Sequence, residues 1–167
     1  MSLKQHHKNA AKGVCVAIIT VSDTRDLDGD KSGQFIEKTL DDAGQLLAGR
    51  TVVPDEATAI AAELRRHLGD ASIDAVILNG GTGIASRDGT VDVVRSFLDV
   101  ELPGFGEIFR PLSYEEIGAA AILSRAVAGA ANGTAVFSLP GSTNAVRLAM
   151  EKLNLPELGH VVSELRK

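Results

Sequence analysis

The stretch Asp74-Ala-Val-Ile-Leu-Asn-Gly-Gly-Thr-Gly83 joins a short apolar run to a glycine-rich turn. An apolar run of this length is typical of a strand that is buried on both faces of a parallel sheet. Consecutive glycines at the end of a strand leave backbone N–H groups unshielded by side chains, and such groups can bind a phosphate. Asp88 follows five residues after the last glycine and could hold Mg²⁺ beside that phosphate. The stretch therefore predicts an α/β fold with a phosphate-handling site.

Two familiar glycine motifs do not describe this turn. A P-loop requires a lysine directly after its last glycine, and Gly83 is followed by Ile84. The dinucleotide fingerprint requires a third glycine, and Ser86 stands where that glycine is needed. A tight turn that only ends a strand remains the alternative interpretation of Gly80–Gly83.

The segments around this stretch alternate between strand and helix patterns, as in a doubly wound sheet. The first is a continuous apolar run that predicts a buried strand. The predicted strands are Val14–Val21, a short one at Thr51–Val53, and Ala75–Leu78, and a predicted helix follows each of them. The first helix has Ser32 as a possible cap and has Ile36, Leu40, Ala43 and Leu47 on one face. The second helix contains Ile60, Leu64 and Leu68 and ends near Gly69, and the third starts near Thr90 with Val93, Val94 and Phe97 inward.

The second half of the chain departs from this alternation. Pro103–Glu107 is predicted to be a loop that opens a helix through Leu112. Two β-rich runs, Val127–Ala131 and Thr134–Leu139, flank Asn132-Gly133, which is a strong hairpin signal. The fold class is therefore α/β, with a mostly parallel sheet and a β-hairpin in the second half. We expect a flexible N-terminal arm at residues 1–13 and a single domain at residues 14–167.

Composition narrows the classes of function. The 167 residues are 44% hydrophobic and 23% charged, as in ordinary globular proteins, and the net charge of −5 argues against a nucleic-acid surface. No apolar run is long enough to span a membrane, so we expect no membrane partner. The single cysteine, Cys15, allows no intrachain disulfide and fits a reducing cytoplasm.

Ligands of open α/β sheets bind where the strands have their carboxyl ends. The residues predicted to meet at this edge are Ser22, Asp23, Asp55, Glu56, Gly80, Gly81, Thr82, Gly83, Asp88, Gly141 and Ser142. Lys31, Arg87 and Arg125 are further candidates for phosphate contacts. Each residue also has a structural alternative, so the prediction depends on the set.

The structural alternatives are local. Asp23 could form an Asx turn, and Asp55 could favour the dipole of the following helix. Asp88 could cap the helix near Thr90, whereas a capping role for Ser142 is compatible with an anion site.

Seven motifs occur in register along nearly the whole chain. They are Thr20-Val21-Ser22-Asp23-Thr24-Arg25, Ser32-Gly33, Pro54-Asp55-Glu56, Gly80-Gly81-Thr82-Gly83 with Arg87-Asp88, Pro103-Gly104-Phe105-Gly106-Glu107, Leu123-Ser124-Arg125-Ala126 and Pro140-Gly141-Ser142. Together they resemble the MoaB/MogA family of molybdenum cofactor biosynthesis proteins, and the MoaB branch most closely.

This resemblance implies a three-layer α/β/α molybdopterin-binding fold and assembly into homotrimers or homohexamers. It implies Mg²⁺-dependent transfer of the adenylyl group of ATP to molybdopterin, with Asp55 and Asp88 as the catalytic residues. The same two aspartates are our candidates for the Mg²⁺ ligands. The residues implied to bind the phosphates and the pterin are Ser22, Asp23, Gly80, Gly81, Thr82, Gly83, Gly141 and Ser142.

Three other classes of function remain open at this point: a binding protein, a structural subunit, and another enzyme of the wider fold. A relative of this family could bind molybdopterin without turning it over, or could be a structural subunit of the pathway. The same Gly-Gly-Thr-Gly domain also occurs in molybdate-inserting enzymes and in nucleotide-salvage proteins.

Overall fold

The computed structural model describes residues 11–86 and 88–167 of the chain. The strands are β1 (Cys15–Val21), β2 (Leu46–Val53), β3 (Ala75–Asn79), β4 (Val100–Glu101), β5 (Val127–Ala131) and β6 (Thr134–Leu139). The α-helices are α1 (Lys31–Asp42), α2 (Ala57–Leu68), α3 (Thr90–Phe97), α4 (Pro103–Ile117), α5 (Thr143–Ala149) and α6 (Leu155–Leu165). A 3₁₀ helix covers Gly118–Leu123, and a π-helical segment covers Met150–Asn154.

The six strands form one sheet in the order β2-β1-β3-β6-β5-β4. Strands β2, β1, β3 and β6 are parallel, whereas β5 pairs antiparallel with both β6 and β4. The β5–β6 hairpin turns at Asn132 and Gly133, which both have positive φ, as a type I′ turn requires. The predicted mostly parallel sheet with a hairpin in its second half is confirmed.

Helices cover both faces of the sheet, and each face has its own apolar core. On one face, Ile36 of α1 and Phe109 of α4 pack against the sheet together with α5 and α6. On the other face, Ile60 and Leu64 of α2 pack with Val94 of α3. The predicted three-layer α/β/α arrangement is therefore confirmed, and its strands are buried on both sides because helices lie on both sides.

The region between α1 and β2 differs from its prediction. The helix ends at Asp42, and Gly44 then takes a φ of 69° that an L side chain rarely adopts. Strand β2 begins at Leu46, where the Leu46 N–H donates to Val14 O at 2.9 Å, so Leu47 belongs to the strand and not to the helix. Asp30, and not Ser32, caps α1 by accepting a hydrogen bond from Gly33 N at 2.9 Å.

Proline positions explain two further features. Pro103 lies at the start of α4, where its missing N–H costs no helical hydrogen bond, so the loop predicted at Pro103–Glu107 is the first turn of a helix that continues to Ile117. Pro156 follows the π-helical segment, in which Leu155 N–H donates to Met150 O and the wider turn accommodates the missing donor.

The structure bears on two further expectations, the N-terminal arm and the absence of a membrane-spanning segment. Ala11, which belongs to the predicted N-terminal arm, donates its N–H to Gly159 O at 2.9 Å and to Ser163 Oγ at 2.8 Å, whereas residues 1–10 of that arm lie outside the described residues. Within the described ranges, no helix is both long and apolar enough to cross a membrane.

His67 is the titratable group from which we expect a pH-dependent stability of this fold. Its side chain is buried at the end of α2, and Nε2 lies 3.2 Å from Glu63 Oε1. Desolvation, followed by the charge of Arg66, lowers the pKa of His67 below its usual value of 6.5. The pKa of Glu63 is also lowered, mainly by its hydrogen bond from Arg66, so Glu63 titrates in a more acidic range.

We expect the free energy of unfolding to decrease as the pH falls below about 6.5. His67 then binds a proton in the unfolded chain but stays neutral in the folded protein, because its pKa is lower there. Above that pH the imidazole is neutral in both states and contributes no slope. The contribution is at most about 1.4 kcal/mol per pH unit. Urea unfolding at about pH 7.5 and pH 5.5 measures it, with His67→Gln as the variant that cannot titrate. An equal loss in wild type and variant would contradict this role.

Candidate functional site

The carboxyl ends of β1, β2, β3 and β6 lie at one edge of the sheet because these four strands are parallel. The loops that follow them are hydrogen-bonded to one another. Ser22 N donates to Val53 O at 2.9 Å, and Asp55 N donates to Asp23 Oδ1 at 2.9 Å. Gly80 N donates to Leu139 O at 3.1 Å. The structure therefore brings the four predicted loops together at this edge.

The glycine positions of the turn Gly80–Gly83 pack too closely for a side chain. Gly80 and Gly81 have φ values of 99° and 60°. A Cβ on Gly80 would overlap the carbonyl oxygen of Val21, and one on Gly81 would overlap Oγ1 of Thr90. The second glycine turn touches the first, since a Cβ on Gly141 would lie 2.9 Å from Cα of Gly80. Gly80 is therefore required by its φ and by close backbone packing, Gly81 by its φ and by the side chain of Thr90, and Gly141 by its close approach to Gly80.

Gly80 N is bonded to Leu139 O, but the next three N–H groups of this turn differ from it. Gly81, Thr82 and Gly83 donate no backbone hydrogen bond to a protein acceptor among residues 11–86 and 88–167. The side chain of Thr82 is itself buried. Successive N–H groups that have no protein acceptor form the concave arrangement that binds phosphate oxygens.

The two candidate catalytic aspartates lie against the glycine turn. Asp55 Oδ1 is 2.8 Å from the position that a Cβ on Gly81 would take, and the carboxylate of Asp88 lies against Gly83. Asp88 Oδ2 accepts a hydrogen bond from Ala85 N at 2.8 Å. The N-cap position of α3 is Gly89, so the alternative that Asp88 caps this helix is wrong. The sheet thus places one carboxylate beside each of two glycines of the turn.

Ser142 lies at the helix end of the second turn. Its side chain accepts a hydrogen bond from Ala145 N at 3.2 Å, so the predicted N-cap of α5 is confirmed. Ser32 Oγ donates to Gly141 O at 3.2 Å and thereby ties the start of α1 to this turn. Ser142 is exposed, which leaves it accessible to a ligand at the same edge.

A cavity of about 740 Å³ opens beside this edge. It lies between the loop that follows β1 and the free edge of β2, and its polar lining includes Ser22, Asp23 and Arg25. This volume is of the size that accommodates a small-molecule ligand. Of the predicted binding residues, Ser22 and Asp23 line this cavity, whereas the two glycine turns and Asp88 do not belong to its lining.

The cationic candidates have different surroundings. Arg125 Nη1 donates to Gly83 O at 3.0 Å, and Nη2 contacts both carboxylate oxygens of Asp92 at 3.1 Å. Arg125 therefore fixes the glycine turn against α3 as well as being a candidate for phosphate contact. Lys31 is exposed at the start of α1, and Arg87 lies outside the described residues.

Residues that the sequence analysis did not select also support this edge. Thr90, fully buried at the first position of α3, lies under Gly81, and its N–H donates to Gly81 O at 3.1 Å. Thr20, Asp30 and Asn79 are fully buried polar residues below the same loops. Thr20 and Asn79 could have been selected from the sequence, because each is a polar residue near the end of an otherwise apolar strand.

No group of three or more His, Cys, Asp or Glu side chains within the described part of the chain is arranged to hold a metal ion.

Comparison with known proteins identifies the family. A family model described as "Probable molybdopterin binding domain" matches residues 17–160. The chain is 54% identical to Molybdenum cofactor biosynthesis protein B of Halalkalibacterium halodurans over 168 residues, covering 100% of this chain and 99% of that protein. It is 52% identical to the protein of the same name from Bacillus subtilis over 168 residues, with the same coverage.

Solved structures agree with the sequence comparison. A crystal structure of a Molybdenum cofactor biosynthesis protein B superposes with a TM-score of 0.91 at 47% identity, covering 94% of this chain and 98% of that chain. The tungsten cofactor synthesizing protein MoaB from Pyrococcus furiosus superposes with a TM-score of 0.84 at 37% identity, covering 95% of this chain and 100% of that chain. The chain therefore belongs to the MoaB/MogA family of molybdenum cofactor biosynthesis proteins.

Proposed function

We propose that this protein is a molybdopterin adenylyltransferase, which transfers the adenylyl group of Mg-ATP to molybdopterin and releases pyrophosphate. One observation carries the proposal: the carboxylates of Asp55 and Asp88 lie against the glycine turn, in which the N–H groups of Gly81, Thr82 and Gly83 have no acceptor among residues 11–86 and 88–167. Glycine N–H groups suit phosphate oxygens, and the carboxylates suit the cation that accompanies a triphosphate. Such a site suits phosphate chemistry better than acyl or hydride transfer.

The reaction needs no nucleophilic side chain. An oxygen of the terminal phosphate of molybdopterin attacks the α-phosphorus of ATP, and the bond from that phosphorus to the β-phosphate oxygen breaks. Adenylated molybdopterin and pyrophosphate are the products, so atoms and charge balance without an enzyme-bound intermediate. Positioning and charge neutralisation supply catalysis in transfers of this kind.

The residues divide this task between them. The N–H groups of Gly81, Thr82 and Gly83 bind phosphate oxygens and stabilise the charge on them. The turn at Gly141 and Ser142, together with Ser22 and Asp23, holds the remainder of the substrates at the same edge. Arg125 keeps the glycine turn in place through its hydrogen bond to Gly83 O.

Asp55 and Asp88 would hold Mg²⁺ together with phosphate oxygens of ATP. Mg²⁺ commonly takes one or two protein carboxylates and completes its octahedral shell with substrate phosphates and water. Two carboxylates beside a phosphate-binding turn fit that donor set, whereas an all-protein cage would need more ligands. When bound, the ion supplies positive charge that offsets the charge of the triphosphate.

Pyrophosphate release from Mg-ATP tests the proposal. We expect wild-type protein to release pyrophosphate only when molybdopterin is present, and we expect adenylated molybdopterin to accumulate in equal amount. Mass spectrometry measures the adenylated molybdopterin, and an enzymatic assay measures the pyrophosphate. Molybdopterin binding without pyrophosphate release would instead establish a non-catalytic binding protein or a structural subunit.

We also propose that copies of the chain assemble into homotrimers or homohexamers. A cavity of about 600 Å³ lies between α4 and the 3₁₀ helix, and its lining includes Tyr114 and Ile122. Ile117, Ile122 and Leu123 are exposed apolar residues on the same surface. An apolar surface of this kind favours a protein interface. Sedimentation velocity of the purified protein distinguishes these assemblies from a monomer, which would contradict the proposal.

A further inference from the structure

A buried chain of hydrogen bonds lies directly under the glycine turn. Asn79 Nδ2 donates to Thr20 Oγ1 at 2.8 Å, and Thr20 Oγ1 donates to Asp30 Oδ2 at 2.7 Å. Arg50 Nη1 donates to the same Asp30 oxygen at 3.1 Å. Thr20, Asp30 and Asn79 are fully buried. The chain therefore links three strands and the start of α1, and its members other than Arg50 are shielded from water.

The chemistry of these groups fixes the direction of each hydrogen bond. An ionised Asp30 can only accept, so the single hydroxyl proton of Thr20 is donated to it. The hydroxyl oxygen of Thr20 can then only accept from Asn79, which requires the amide nitrogen of Asn79 to face it. A flipped Asn79 amide would place two acceptors against each other. The orientation of the Asn79 side chain is thus determined by Asp30.

Asn79 and Asp30 in this chain each adjoin a different loop of the site. Asn79 directly precedes Gly80 and is the register partner of Thr20 in the parallel β1–β3 pair. Asp30 ends the loop that starts at Ser22 and caps α1. Arg50 also donates to Leu27 O at 2.9 Å, in the middle of that loop. A single carboxylate therefore serves as a common anchor for the glycine turn and for the loop that carries Ser22 and Asp23.

Stability alone does not account for this arrangement. Moving a carboxylate and a guanidinium out of water costs free energy, and well-packed apolar residues often stabilise such positions equally well or better. A directional chain does provide geometric precision, because each member has only one satisfactory orientation. Precision of position matters at a reaction site, where a displacement of about 1 Å can cost about 10²-fold in rate.

We infer that Thr20 and Asn79 are positioning residues, which hold the Gly80–Gly83 turn in a fixed position relative to the loop that carries Ser22 and Asp23. Neither residue is assigned a contact with substrate. The kinetic part of this inference rests on the proposed adenylyl transfer, whereas the structural part does not.

The kinetic test uses Thr20→Val, which keeps the shape of the side chain and removes both hydrogen bonds of the hydroxyl. We expect kcat for pyrophosphate release to fall by about 10²-fold and KM for Mg-ATP to change by less than about two-fold, since the lost interaction acts on the transition state. Thr20→Ser retains the hydroxyl and should restore most of kcat.

Thr134→Val is the matched control. Thr134 is also buried in the same sheet, but it begins β6 at the opposite edge, where Oγ1 donates to Ile73 O at 3.4 Å. We expect this variant to retain the wild-type kcat. An equal loss of kcat in Thr20→Val and Thr134→Val would overturn the inference, because it would indicate general destabilisation.

Amide hydrogen exchange supplies a measurement that is independent of activity. In Thr20→Val the amides of Gly80 and Thr90, which donate to Leu139 O and to Gly81 O, should exchange faster than in wild type, whereas Thr134→Val should leave their rates unchanged. Unchanged exchange at the turn in Thr20→Val overturns the inference. If wild-type protein releases no pyrophosphate, the proposed function fails, and the exchange rates still decide whether Thr20 positions the turn.

Discussion

Replacement of Asp88 by asparagine is expected to lower kcat for pyrophosphate release by about 10²–10³-fold, the loss typical of removing one preorganised electrostatic group. Asparagine keeps an oxygen that can accept the hydrogen bond from Ala85 N, which the carboxylate accepts at 2.8 Å. The loop therefore keeps its conformation while the negative charge is removed. A loss of rate in this variant reports on the charge and on the proposed Mg²⁺, and not on folding of the loop.

Asp99→Asn is the control for this variant. Asp99 is another carboxylate in a connecting segment that accepts a backbone N–H, from Asn132 at 2.7 Å, and the β5–β6 turn it contacts lies at the opposite edge of the sheet. Its conversion should leave kcat unchanged. The measurement is the initial rate of pyrophosphate release at saturating Mg-ATP and molybdopterin. Near-normal turnover by Asp88→Asn would remove Asp88 from the proposed catalytic residues.

Replacement of Gly80 by alanine is expected to lower the free energy of unfolding by about 3 kcal/mol or more. Its φ of 99° disfavours any L side chain, and the added Cβ would overlap the carbonyl oxygen of Val21. Backbone in the middle of a buried sheet cannot move aside cheaply, because neighbouring strands hold it. Urea unfolding of wild type and variant measures the difference.

Gly44→Ala separates the two causes of this loss. Gly44 also has a positive φ, 69°, but no atom lies within 4 Å of the position that its Cβ would take. It should therefore lose only the conformational term, about 1–2 kcal/mol. If Gly80→Ala is no less stable than Gly44→Ala, close packing of the glycine turn on β1 is not what requires Gly80.

Local sequence signals determined much of the architecture. The apolar runs around Val16 and Val76 predicted strands buried on both faces, and helices cover both faces in the structure. Asn132-Gly133 predicted the hairpin, because few other dipeptides accept positive φ at both positions. Ser142 predicted a helix start, because its side chain can satisfy an N–H of the first turn.

Other features could not be inferred locally. Strand β2 begins at Leu46, although Leu47 fits the helical spacing of α1, because pairing with β1 and the left-handed Gly44 override that pattern. Asp30 caps α1 in place of Ser32, since Asp30 is also bonded to Thr20 and Arg50 across the sheet. Both outcomes depend on partners that are distant in sequence. The spacing of apolar residues can predict only which residues share a face of one helix or strand.

The sequence by itself determined which residues reach the candidate site: the glycine turns and the aspartates follow strands whose parallel direction is readable from their apolar runs and connections. Only the tertiary structure decided how these residues are arranged. The contact of Gly141 with Gly80, the position of Asp55 against Gly81 and the buried link from Asp30 to Asn79 each join separate strands. Such contacts arise from packing of the sheet as a whole, for which a local pattern carries no signal.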